Sequence, residues 1–190
     1  MNIFEIDSEL LLINYSIYGD LKGVRKMIEA GTDYNTPSKK SFPLYEATAK
    51  GHIHVVDYLL SLDRIAVNEI DKETGYSPLH TALFYSFYSN SPKILDLFLL
   101  NPKVNLDIAS KAPITFDFTP LHLAAYINYL EGVQYLIAAG ANLNIKTKDG
   151  FFFLDVAGKS NSCREKPEQV QEKLKKLVVE KDKIFAGFQV

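Results

Sequence analysis

Apolar residues recur along this chain in short bursts at helical spacing, separated by polar breaks. The clearest case lies in "TPLHLAAYINYLEGVQYLIAAGANLNI", residues 119–145. Leu121, Ala124 and Ala125 fall at i, i+3 and i+4, and Val133, Leu136 and Ile137 repeat the pattern. "INYLEG" interrupts it, so the stretch predicts two short helices rather than one. Thr119 is placed to N-cap the first, with Pro120 at its first position, where a missing N–H costs nothing. Gly140 is placed to end the second as a left-handed C-cap.

The same pattern returns elsewhere. "FPLYEATAKGHIHVVDYLLSLDRIAVNEI" (42–70) shares Pro43-Leu44, Ala47, Leu59-Leu60 and Val67-Asn68. "SPLHTALFYSFYSNSPKILDLFLLNPKVNLDI" (77–108) shares Pro78-Leu79-His80, Ala82 and Leu99-Leu100. "LLLINYSIYGDLKGVRKMIEAGTDYN" (10–35) lacks the Pro but keeps Gly19-Asp20, Met27-Ile28 and Gly31, and "FFFLDVAGKS" (152–161) keeps Leu154 and Ala157. The starts at Leu10, Phe42, Ser77, Thr119 and Phe152 are spaced by 32, 35, 42 and 33 residues. A helix pair this short cannot bury its apolar face alone, so the units must stack and share a core. The small Ala124 and Ala125 suit close helix approach.

"TPLHLAA" with "GANLN", "SPLHTA" and "GHIHVVDYLL" resemble the ankyrin repeat. The resemblance covers about residues 8–160 and implies an all-α repeat solenoid of stacked helix-turn-helix units with hairpin or loop fingers. It implies one domain over residues 1–190, with units at about 8–40, 41–74, 75–116, 117–149 and 150–185. The last unit is expected to be a capping repeat with "GKSNSCREKP" inserted ahead of its outer helix. That outer helix is expected in "PEQVQEKLKKLVVEKDKI" (167–184), where Val170, Leu174, Leu177 and Val178 stand at helical spacing among Lys and Glu. By the same resemblance Pro78, His80, Thr119, Pro120 and His122 are structural: the Thr and His tie one repeat's turn to the next. Departures exist. Tyr45 stands in place of the His, and Phe152-Phe153 in place of Thr-Pro.

Composition narrows the function classes. The net charge is −2, so no general basic field recruits nucleic acid, and "PSKK" (37–40) is an isolated cluster. Cys163 is the sole cysteine, which excludes an internal disulfide and fits a reducing, cytoplasmic setting. The acidic flanks Glu5, Asp7 and Glu9 do not suit a signal peptide, and no apolar run approaches the ~18 residues of a membrane span. His52 and His54 are two apart, whereas ligands sharing a helix face need i, i+3 or i+4. Gly158-Lys159-Ser160 lacks the upstream Gly of a phosphate loop, because Phe153 stands there. The carboxylates of "DKETG" (71–75) read as exposed turn residues. Cys163 lies in a polar loop with no neighbouring base evident. No cofactor, metal or catalytic residue is expected.

The resemblance therefore implies a monomeric protein-binding module that contacts another protein through hairpin tips and the concave face of the inner helices. Carried over, the last hairpin offers Lys146, Lys148, Asp149 and Phe151; the second offers Asp71, Lys72, Glu73 and Tyr76; the fourth inner helix offers Leu123 and Tyr126. The third unit holds about five extra residues between its helices, around "FYSFYSNS" (84–91), and four in the hairpin "IASKAPITFDF" (108–118). Loops beyond what an architecture needs often carry function. Tyr76, Phe116, Phe118 and Tyr126 then form an aromatic binding patch, or Phe116 and Phe118 fold down over the hairpin's own core; both stay open. The alternative function is an ankyrin targeting module of a larger secreted effector or enzyme, from an intracellular bacterium or a virus, acting in host cytosol.

Overall fold

The computed structural model describes residues 7–36, 41–115, 117–161 and 163–186, with side chains through residue 179 in the last helix. Phe116, the "PSKK" cluster and the last four residues lie outside the described set. Among the described residues the regular elements are α-helices: α1 (Ser8–Tyr18), α2 (Leu21–Glu29), α3 (Pro43–Lys50), α4 (Ile53–Leu60), α5 (Pro78–Ser89), α6 (Lys93–Leu99), α7 (Pro120–Tyr126), α8 (Leu130–Ala139) and α9 (Pro167–Ala186). The chain divides into two compact blocks. One runs to Asn105 and takes in Ser110–Ile114; the other comprises Leu106–Ala109 and the chain from Thr115 on.

In the first block α1, α3 and α5 pack side by side, and α2, α4 and α6 form a second layer. Leu12, Val24, Leu44, Val55, Leu59, Leu79, Leu83, Ile94 and Phe98 fill the space between them, almost wholly buried. Ala47 and Ala82 have zero exposure, as expected where helices approach closely. Each of these helix pairs turns on a left-handed residue, Gly19, Gly51 or Asn90. At Gly19 (φ 71°) a Cβ would stand 2.5 Å from His52 Nδ1, and at Gly51 (φ 79°) 2.2 Å from the Tyr85 ring. Glycine is required twice over there: for its backbone and for the neighbouring ring.

Two asparagines tie successive hairpins of this block. Asn35 donates from Nδ2 to the Arg64 carbonyl (2.7 Å) and accepts the Ala66 N–H (2.8 Å). Asn68 does the same to the Lys103 carbonyl (2.9 Å) and the Asn105 N–H (2.8 Å). Backbone groups that a helical repeat leaves exposed are thus paired.

The third unit's insertions differ from the expectation of loops. The residues around 84–89 prolong α5, which has 12 residues against seven in α7. No Gly or Pro stops the helix before Asn90 (φ 51°) caps it. The hairpin insertion is pinned at one point, where the Lys111 N–H donates to the Gly75 carbonyl (2.7 Å) and Ala112 is 3% exposed, while Ile114 beside it is 81% exposed.

In the second block Thr119 caps α7, accepting the His122 N–H (3.4 Å), and Pro120 opens the helix. Gly140 (φ 101°) caps α8. Leu121, Ala124, Ala125, Val133, Leu136, Val156, Ala157, Val170 and Leu174 form the core; Leu177 and Val178 are half-buried. The expected inner helix of the last unit does not form. Residues 153–158 are turns with i→i+3 bonds such as Asp155 N–H to the Phe152 carbonyl. The physical reason is at the start. No Ser/Thr-Pro cap precedes the segment: Phe152 has no side-chain oxygen to accept the N–H groups of the first turn, although its own N–H donates to Asp155 Oδ2 (2.8 Å). The N–H groups of Gly158 and Ser160 instead cap the free carbonyls of Ala125 and Tyr126 at the end of α7 (2.9 and 3.2 Å).

Candidate functional site

His122 is 1% exposed and uses both ring nitrogens. Nε2 lies 3.2 Å from the Phe151 carbonyl, which only accepts, so Nε2 carries the proton. Nδ1 then accepts the Thr119 hydroxyl at 2.8 Å. Burial holds the imidazole below its ordinary pKa, against the opposing pull of the Phe151 carbonyl and Asp155. The neutral ring is therefore a structural pin between the α7 cap and the next hairpin. Ser77 and His80 repeat the cap at 2.8 Å. Tyr45, where the second unit lacks the His, reaches the same way: its hydroxyl donates to Thr74 Oγ1 at 2.9 Å. The separation is 29 residues in both Tyr45–Thr74 and His122–Phe151.

These pins carry two columns of rings. In the first block Tyr76 packs on His80 (centroids 5.7 Å) and edge-on to Phe84 (5.2 Å). In the second, Phe118 packs on His122 (5.7 Å) and edge-on to Tyr126 (5.6 Å). The second and third rings of each column are i, i+4 neighbours on α5 or α7, and the first, from the residue just ahead of the extended N-cap, folds back onto them. Tyr76, Phe84, Phe118 and Tyr126 are half-buried: anchored on one face, open on the other. Phe118 thus stands against α7, and Phe84 joins the residues named from sequence.

The last hairpin lies against the second column. Lys148, 72% exposed, pairs with Asp117 at 3.4 Å, next to Phe118. Phe151 is 44% exposed, with Lys159 Nζ 5.4 Å from its ring centre, and Lys146 Nζ stands 4.6 Å over Phe152. Asp149 is exposed at the tip. Two expected contact residues are not available: Leu123 has zero exposure, and Asp71 is 1% exposed. Asp71 turns inward because its Oδ1 accepts the N–H of Glu73 (3.1 Å), the N–H of Thr74 (2.8 Å) and Thr74 Oγ1 (2.9 Å), closing its own turn.

Beside the first column is a hollow of about 350 Å³ lined by Tyr45, Ala49, Thr74, Tyr76, Thr81, Phe84, Tyr85 and Tyr88. Burial raises the Tyr45 phenol pKa, and the charges of Asp71 and Glu46 raise it further, against hydrogen bonds with Thr74 and Thr81. His52, half-buried, bonds the Ile17 carbonyl (2.8 Å), while His54 is exposed. Among the described residues no group of three or more His, Cys, Asp and Glu is arranged to hold a metal. No described helix is long and apolar enough to cross a membrane.

Comparison with known proteins agrees with this architecture. Residues 12–108 match the family of ankyrin repeats in three copies, and residues 116–148 match a further ankyrin repeat. Delta-latroinsectotoxin-Lt1a of Latrodectus tredecimguttatus is 30% identical over 53% of the chain, and alpha-latrocrustotoxin-Lt1a of the same spider 30% over 74%. Ankyrin repeat and SOCS box protein 11 of Mus musculus is 29% identical over 65%. The matched stretches span 8%, 9% and 34% of those proteins. With the paired helices and the Ser/Thr-Pro-Leu-His caps, the match identifies the chain as a member of the ankyrin-repeat family, an all-α repeat solenoid class.

Proposed function

We propose that this chain captures a partner protein, without catalysis of its own, through the ring columns and the hairpin beside them. Ankyrin repeats are protein-interaction modules. The observation that carries the finer reading is the repetition of one half-exposed column, Tyr76–His80–Phe84 and Phe118–His122–Tyr126, in two repeats. Rigid aromatic anchors lose little entropy on binding and suit interface hot spots. Lys146, Lys148, Asp149 and Phe151 supply a mixed rim. His122, with both nitrogens engaged, holds the column instead of reacting. The purified chain, used as bait in lysate, should retain a protein that Phe118→Ala/Tyr126→Ala releases while its circular dichroism stays native. Retention by both would move the contact surface elsewhere on the array.

A second reading rests on the small share of the relatives that the chain spans. Here it is the targeting part of a longer protein, in the manner of a secreted effector. An open reading frame that continues past Val190 into a different domain supports this; a stop codon there removes it.

A further inference from the structure

We propose that the hollow of about 350 Å³ beside the first column receives a basic side chain of the partner, an arginine guanidinium foremost. The inference rests on the reading of the ring columns as a protein-binding face and names the chemistry that one part of it selects.

Five of the eight lining residues are aromatic, Tyr45, Tyr76, Phe84, Tyr85 and Tyr88, and none of the eight is charged. Aromatic faces carry negative potential, and a guanidinium stacks on them with little loss of hydration. An aliphatic side chain would fill the same space, so the decision comes from the charges around it. Tyr45 donates to Thr74 Oγ1, and Thr74 Oγ1 donates to Asp71 Oδ1. Two wall residues thus connect the hollow to a carboxylate that is 1% exposed and little screened by water. Glu46, next to Tyr45, adds a second negative charge acting on the same phenol. The ion pairs among the described residues, Lys148–Asp117, Lys173–Glu165 and Lys176–Glu172, take in neither Asp71 nor Glu46. An aromatic wall that joins Asp71 by hydrogen bonds and feels the charge of Glu46, neither carboxylate being neutralised by a cation in those pairs, favours a cation over a neutral group. The chain makes this contact with itself elsewhere: the Arg25 guanidinium stands 4.2 Å over the Tyr58 ring.

The test titrates the full chain with N-acetyl-arginine methylamide and with its neutral isostere, N-acetyl-citrulline methylamide, following tyrosine ring protons by NMR. The arginine probe should saturate with a Kd on the order of 10 mM, shifting hollow resonances. The citrulline probe should bind several-fold more weakly. Tyr88→Leu, at a position 71% exposed and so safe for the fold, should weaken the arginine probe, as should Glu46→Gln. Equal binding of the two probes, indifference to Tyr88→Leu, or no shift at about tenfold the expected Kd overturns the proposal. If any of these occurs while Phe118→Ala/Tyr126→Ala still releases the captured protein, the inference fails and the protein-binding reading stands. If the probe binds as expected but no column variant releases the protein, the reading of the columns as the contact face fails instead.

Discussion

The columns Tyr76–His80–Phe84 and Phe118–His122–Tyr126 use the same three positions of two repeats, yet their surroundings differ in charge. The first borders a hollow of uncharged side chains with a buried carboxylate, Asp71, behind it, and its hairpin exposes Lys72 and Glu73. The second borders a hairpin carrying Lys146, Lys148 and Asp149, with Lys159 over Phe151. The frame is common because Ser77 or Thr119 caps the helix and bonds the His four residues after the first ring. The difference lies in hairpin residues, which the fold leaves free. Repeat architecture thus fixes where the rings stand, and the hairpins set which charged groups stand beside each column.

The largest effects should come from removing what the columns share. His122→Ala removes the acceptor of the Thr119 hydroxyl and one of the two donors to the Phe151 carbonyl, which keeps the Thr147 N–H, and it opens a cavity where the buried ring stood; it should cost about 2–4 kcal/mol in urea unfolding. His80→Ala should cost a similar amount; a cost under about 1 kcal/mol for either would break the equivalence of the two pins. Next, Gly51→Ala should cost about 1–3 kcal/mol, since it strains a left-handed residue and drives a methyl into Tyr85.

A smaller effect separates His122 by pH. Its folded pKa lies below the unfolded value, so the unfolded chain binds the proton first as pH falls. The stabilisation is complete above about pH 6.5 and is lost as pH drops toward the folded pKa, by at most about 1.4 kcal/mol per pH unit. His122→Gln should flatten that part of the stability profile. The smallest effect should be Lys148→Ala: the pair with Asp117 is exposed on the lysine side, and its loss should cost less than about 0.5 kcal/mol. Its mark should fall on the salt dependence of partner association.

Cap chemistry was legible in the sequence because it is local. Thr119, Pro120 and Gly140 stand where a helix start and stop require them. Tyr76, Phe118 and Tyr126 were named from the sequence as aromatics beside those caps, and in the fold they are half-buried. Phe84 was missed because its stretch read as an inserted loop; counting i, i+4, i+8 from Tyr76 through His80 finds it. Tyr45 was read only as a departure from His, although a phenol is long enough to span the same 29-residue gap. Asp71 looked exposed because turn carboxylates usually are. Its Thr three residues on is the signal for an inward, self-closing turn. The last inner helix failed where the local start signal was missing, so family spacing alone was not enough. Leu123 illustrates the remaining limit: one position along a short helix separates a contact surface from the core.

The central claim is that the ring columns are the contact surface. It is tested most directly by the affinity for the captured protein of three folded chains: wild type, Tyr76→Ala/Phe84→Ala and Phe118→Ala/Tyr126→Ala. The account predicts that at least one double variant loses about tenfold or more, while unfolding shows the array intact. Wild-type affinity in both variants would contradict it.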